Sequence, residues 1–203
     1  YFEVIESEAI RPDFLEHFAE TENLPTLATL YNTANDDPSL ADQRSLFIED
    51  QDRHQLRDYL RQRLGQRLKN LKQNPNSPKF ASLFALDRRG TILAVAYDQA
   101  VTTRSVGKNY CFRTYFHGGN KDQPRDVRTP EIKPVSQTHL SAVFQSTTTK
   151  MWKVAVSTPI FRQEQGTRKV VGVVAQGAAS YALSFEAGHA LSTNSADTLA
   201  DGM

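Results

Sequence analysis

The chain predicts an α+β domain in which a long N-terminal helix lies on a five-stranded antiparallel sheet. Three observations predict it. Apolar residues recur at helical spacing to about residue 76, the period then changes to that of strands, and turn signals divide the C-terminal part into a hairpin, a crossing segment and a three-strand meander. At 203 residues the chain can bury a substantial core yet is short for two large domains. With 39% hydrophobic and 23% charged residues it has the composition of a globular chain. The expected division is a helical region at 1–76, a sheet-bearing core at 77–180 and a polar tail or linker at 181–203.

Each element has its own local signal. Pro12, Pro25 and Pro38 punctuate the helical part, and Asn35-Asp-Asp-Pro-Ser39 offers N-cap and first-turn chemistry for a long helix starting there. Leu56, Tyr59, Leu60, Leu64, Leu68 and Leu71 make one apolar stripe, with Arg57, Arg61, Arg63 and Arg67 between them. That stripe suits either the domain's own core or a partner helix. Over residues 53–72 seven Lys or Arg accompany the single Asp58, which reads as a solvated face or as a surface for an anion. Asn74-Pro-Asn-Ser-Pro78 ends the helix. Strands at about 80–86 and 91–97 flank Asp87-Arg-Arg-Gly90, where glycine can take the positive φ of a tight hairpin. Both strands are apolar at intervening as well as alternate positions, so the sheet is expected to be covered on both faces. Residues 101–116 leave the sheet as a loop and short helix. Strands at about 140–145, 152–159 and 169–176 close it, through turns at Ser146-Thr-Thr-Thr149 and Gln163-Glu-Gln-Gly166.

The chemistry concentrates in Gly107-Lys-Asn-Tyr-Cys-Phe-Arg113-Thr-Tyr115-Phe116-His-Gly118. It places one guanidinium among Tyr110, Phe112, Tyr115 and Phe116. A planar fork of donors walled from water by rings suits a carboxylate. The competing reading is an arginine pinned by a structural acid. His117 reads as a pocket-mouth or exposed loop residue, and Trp152 as a core residue or a ligand contact. Tyr97 and Asp98 are weaker candidates for the same pocket. Cys111, the sole cysteine, reads as a small buried hydrophobe; it excludes an intrachain disulfide and a cysteine-based zinc site. A net charge of +1 without a basic arm argues against nucleic acid. No nucleophile elbow, phosphate loop or paired histidines at metal-ligand offsets occur, so neither catalysis, a metal nor a cofactor is expected.

The order of helix, hairpin, crossing segment with Arg-x-Tyr-Phe, and closing meander resembles the Cache sensor fold, a PAS-like domain of bacterial receptors. The segment from Gly107 to Phe116 is similar to its counterpart in single-Cache sensors of C4-dicarboxylate histidine kinases. Leu140-Ser-Ala-Val-Phe144, Trp152-Lys-Val-Ala-Val-Ser157-Thr-Pro-Ile160 and Val170-Val-Gly-Val-Val-Ala175 resemble the closing meander of Cache sensors, including those on membrane-bound serine/threonine kinases. The resemblance implies an extracytoplasmic, periplasmic or extracellular, input module held by transmembrane segments on either side, with its ligand between sheet and crossing segment. It implies Arg113 as anion clamp, Tyr115 and Phe116 as pocket walls, and Ser157 and Thr158 facing the ligand. Amino-acid-binding Cache sensors carry an Asp just after the last strand and dicarboxylate sensors a Lys nearby, whereas here the region reads Val174-Ala-Gln-Gly177. The expected ligand is therefore a small monocarboxylate or neutral polar metabolite, unless Lys153 or Lys108 turns inward. No apolar stretch approaches the roughly 20 residues that span a bilayer, and the polar tail and the start at Tyr1 suggest an excised piece with spans or effector domains beyond it. The alternatives are a ligand-free scaffold whose helices dimerise, or the input domain of a chemoreceptor or diguanylate cyclase.

Overall fold

Proline sets where the first helices begin. After α1 (Phe2–Ala9), Pro12 opens α2 (Pro12–Glu22), Pro25 opens the single turn α3 (Pro25–Ala28), and Pro38 opens a 3-10 turn that runs into α4 (Ala41–Glu49). The structure, a computed structural model, describes residues 2–31, 38–73, 80–102, 105–125 and 132–179. Asn35 to Asp37 of the expected capping signal, the helix-ending segment 74–78 and the tail 181–203 lie outside them.

The long helix α5 (Gln51–Gln73) starts later than its sequence suggests, and Asp50 is the reason. Its backbone is extended (φ −60°, ψ 125°), so α4 stops there. Its Oδ1 accepts the Asp52 N–H at 3.1 Å, and its Oδ2 accepts the Thr26 hydroxyl at 2.9 Å. Buried Arg53 folds back and donates to the carbonyls of Phe47 and Ile48. An aspartate cap on one helix and a guanidinium on the last carbonyls of the other make two helices stable where one was expected. The stripe of α5 then buries Leu56, Tyr59, Leu60 and Leu64 in the domain's own core, against the hairpin.

That hairpin is β1 (Ser82–Asp87) and β2 (Ile92–Tyr97). Gly90 has φ +89°, and buried Asp87 accepts the N–H groups of Arg89 and Thr91 at 2.9 and 2.8 Å. A crossing segment containing the one-turn helix α6 (Thr114–His117) leads to β3 (His139–Leu140) and β4 (Phe144–Gln145). Two long strands follow, β5 (Trp152–Glu164) and β6 (Thr167–Ala179). All pairings are antiparallel, in the order β2-β1-β6-β5-β3 with β4 also beside β5. Five positions were expected, and the fifth is interrupted. Ser141 exchanges hydrogen bonds with Ala155, and the Ala142 N–H turns away to the Thr114 hydroxyl at 3.0 Å, splitting the edge strand into β3 and β4. β6 extends past Gln176 to Ala179, so Val174 to Gly177 lie within the last strand rather than after it.

Helices cover one face of the sheet and the crossing segment the other. A single apolar core includes Phe14, Leu60, Leu86, Phe116 and Val174, from both sides of residue 76. Gly172 permits one close approach: a Cβ there would strike the Phe18 ring of α2 and the Leu86 carbonyl.

Candidate functional site

Strand alternation sends Ser82 and Phe84 of β1, Val95 and Tyr97 of β2, and Lys153 of β5 toward the crossing segment. With Ser105, Tyr110, Arg113 and Tyr115 from that segment, and Phe144 to Thr147, they line a partly open cavity of about 40 Å³. Space of that size accepts roughly three water molecules or one very small ligand.

Arg113 precedes α6 and is 7% exposed. Its Nη1 pairs with Asp122 Oδ2 at 2.6 Å, and its Nη2 donates to the Gln145 carbonyl at 3.1 Å. Asp122 Oδ1 also accepts the Thr114 N–H at 3.0 Å. The guanidinium lies 5.1 and 5.2 Å from the ring centres of Phe112 and Phe144, and Nε is buried with no partner among the described residues. The two sequence readings of Arg113 thus meet. It is pinned by an acid, and a hollow lies beside it.

Lys153 is the cation that turns inward. It is 2% exposed, its Nζ stands 5.5 Å from the Tyr97 ring centre, and no described carboxylate lies within ion-pair distance. Burial holds its pKa below the ordinary lysine value, partly opposed by exposed Asp98. Gly177 of β6 presents no side chain here; a Cβ would sit 2.5 Å from Ser82 Oγ and 3.9 Å from the Lys153 stem. The Tyr115 hydroxyl has no partner among the described residues, and burial pushes its pKa well up, so it stays a neutral donor. Its ring meets Phe84 and Phe144 edge-on at 5.3 and 5.2 Å. Tyr110 hydrogen-bonds Thr147 at 2.8 Å across the opening.

Arg113, Tyr110 and Tyr115 therefore meet at the cavity, joined by Tyr97. The other sequence candidates do not line it. Phe116 is fully buried in the core. His117 accepts the Gly119 N–H on Nδ1 at 3.0 Å and faces the Phe112 carbonyl with Nε2 at 3.1 Å, which fixes the proton on Nε2 and braces the end of α6. Ser157 is buried beside the His139 carbonyl. Thr158 lies on the helix face with Thr138, which in turn donates to Glu6 of α1. Trp152 is 59% exposed, neither in the core nor at the cavity, because strand alternation points it away from Lys153 beyond the helical cover. Cys111 is buried.

The basic run on α5 is committed internally. Arg63 and Arg67 pair with fully buried Glu8 at 3.0 and 2.6 Å, Arg57 and Arg61 with Asp58 at 2.8 and 3.4 Å, and Arg53 with backbone carbonyls. Arg61, Lys69 and Lys72 stay exposed, as on a solvated helix face. Arg67 also donates to Gln176 on β6 at 2.5 Å. Sequence reasoning missed Asp122, Ser82 and Phe144. A lone lysine within an otherwise apolar strand was the signal for Lys153. Among the described residues no group of three or more His, Cys, Asp or Glu could hold a metal ion, and no helix is long and apolar enough to cross a membrane.

No protein-family model and no curated protein sequence matches the chain. Among solved structures, the sensor domain of the V. cholerae histidine kinase DctB is similar at 16% identity and a TM-score of 0.42, over 83% of this chain and 53% of that one. The ligand-binding domain of the Pseudomonas fluorescens chemoreceptor CtaA, in complex with L-leucine, is similar at 15% identity and a TM-score of 0.39, over 89% and 57%. That of the Campylobacter jejuni chemoreceptor Tlp3, in complex with 4-methylisoleucine, is similar at 11% identity and a TM-score of 0.36, over 89% and 57%. The chain spans little more than half the length of these three sensor domains. The likeness is distant and concerns the fold alone.

Proposed function

We propose that this chain is the Cache-type, extracytoplasmic ligand-sensing domain of a membrane-anchored signalling receptor, with a protein kinase as its output. It takes a small carboxylate or polar metabolite into the cavity between sheet and crossing segment, performs no catalysis itself, and passes the signal through its terminal helices. The observation that carries the reading is the convergence of Arg113, Lys153 and Tyr115, buried among aromatic rings, on a hollow that still has room. The route outward is short. Gly177 faces the cavity while its neighbour Gln176 faces the helices and accepts from Arg67, which holds Glu8 of α1. A ligand that favours one arrangement of β6 biases α1 by its differential affinity for the two arrangements.

The dimerising scaffold loses support because the α5 stripe it would use is spent on the domain's own core. Chemoreceptor and diguanylate cyclase outputs suit the same input module. The test is a metabolite panel read by melting temperature, since anything that binds the native state stabilises it. A saturable rise for at least one small polar compound, lost in Tyr115→Ala, is the expected result. No rise across a broad panel would restore the scaffold reading, and chemical conversion of a bound compound, followed by mass spectrometry, would make the domain an enzyme.

A further inference from the structure

The cavity carries an unbalanced charge. Arg113 and Asp122 form a pair at 2.6 Å and cancel. Asp122 is no passing counter-ion, because the Thr114 N–H holds its second oxygen at 3.0 Å and the next residue is tied down by the Gln123 N–H to Phe112 carbonyl bond at 2.8 Å. Lys153 is left as a buried cation with no described carboxylate within ion-pair distance, exposed Asp98 acting on it only from farther off, so Arg113, Asp122 and Lys153 together carry a net charge of about +1.

We infer that Asp122, half-buried behind Arg113, sets the charge of the ligand: by neutralising the guanidinium through Nη1 it makes Lys153 the anion receptor and restricts the cavity to ligands with one negative charge. This rests on the sensor reading above and narrows its ligand class. A monocarboxylate brings the cavity to neutrality, with Lys153 on one carboxylate oxygen and the Tyr115 hydroxyl available to the other. A dicarboxylate would leave a second charge facing a guanidinium that is already neutralised, in a partly enclosed space where that excess is costly. The volume of about 40 Å³ agrees with the small end of the class, near acetate and propanoate. The arginine that marks the segment in the sequence becomes a positioning residue, and its acid partner nine residues further on becomes the specificity determinant.

The test uses the whole chain with acetate, propanoate, butanoate, malonate and glycerol at matched ionic strength, read by titration calorimetry and melting temperature. Butanoate is close to malonate in size, so it separates charge from fit. Wild type is expected to bind a monocarboxylate saturably and to reject malonate. Lys153→Met should weaken the monocarboxylate by about tenfold or more, because a charge-assisted hydrogen bond is lost. Asp122→Asn keeps the shape, leaves the guanidinium charge uncompensated, and should gain malonate by about the same factor while retaining the monocarboxylate. Malonate binding wild type as tightly as butanoate, or a monocarboxylate binding Lys153→Met undiminished, overturns the inference. Should Asp122→Asn not fold, wild type against Lys153→Met decides the matter with the Arg113–Asp122 pair intact. Glycerol binding at the cavity when no anion binds would sink the charge rule and leave the sensor standing. If neither these probes nor the wider panel bind, both fall.

Discussion

Lys153 and Asp87 are buried ionisable groups that the fold drives toward neutrality from opposite sides. Burial lowers the pKa of Lys153 from 10.5, so protonated Lys153 costs the native state stability at neutral pH. That cost is in full force below the folded pKa and disappears as the pH climbs to the unfolded value. Lys153→Met should therefore be more stable than wild type at pH 7, by about 1–2 kcal/mol in urea denaturation, and the gap should close as the pH approaches that of free lysine. An unchanged gap would mean that the ammonium is solvated. For Asp87, burial raises the pKa from 3.8 to about 6 against the opposing bonds from Thr91 and Arg89. The folded state then binds more protons than the unfolded state between those values, so stability falls as the pH rises through this window and stays lower above it. Asp87→Asn keeps the Oδ1 acceptor for the two N–H groups, and it should remove that fall and gain about 1–3 kcal/mol at pH 7. Denaturation midpoints at pH 4, 5, 6 and 7 would check it. At this scale the site was half legible: an arginine caged by rings is a local pattern, whereas Asp122 sits in a polar stretch with nothing to mark it until the chain folds back.

Among the elements, α1 is tied to the rest by buried Ile5 and Ala9, by Thr138 on Glu6, and by one fully buried carboxylate. Glu8 accepts from Arg63, Arg67 and the Tyr59 hydroxyl of α5, and Arg67 reaches on to Gln176 of β6. Removing the carboxylate strands Arg67 and the Tyr59 hydroxyl in a largely buried place, while Arg63 keeps some access to water. Glu8→Ala should cost about 3–5 kcal/mol, and amide exchange along α1 should quicken more than along β1 or β6. Uniform acceleration of all three would show that α1 is not a separable lever. Helix starts at Pro12 and Pro25 were readable because proline acts on its own residue. The break at Asp50 was not, because it depends on Thr26 and on Arg53 reaching back to α4. The split of the edge strand likewise depends on Thr114, far earlier in the chain.

For the whole molecule, helices and sheet share one core, so neither layer has a finished surface without the other. Residues 80–179 expressed without the helical region would expose Leu83, Leu93 and Val174 on the helix-covered face. Such a piece should lack the sharp near-ultraviolet circular dichroism of the intact chain and bind a hydrophobic dye. A fragment that melts cooperatively would show that the sheet and crossing segment are self-sufficient. Under the proposed sensor reading, the shared core supplies a route from the cavity to the N-terminal helix, because β6 has Gly177 on the cavity face and Gln176 beside Arg67 on the other.

Composition, helical and strand periods, proline and glycine punctuation, and the aromatic cage of Arg113 are all written in neighbouring residues, and they are enough to establish the α+β class, the hairpin and the meander and to point to the candidate cavity. Contacts between distant residues decided the rest. They gave Arg113 to Asp122, turned Lys153 inward, drew Arg63 and Arg67 of α5 onto Glu8 and left Trp152 outside. The physical reason is that charge inside a protein is governed by its partners and its distance from water, and both are properties of the closed fold rather than of any stretch of chain.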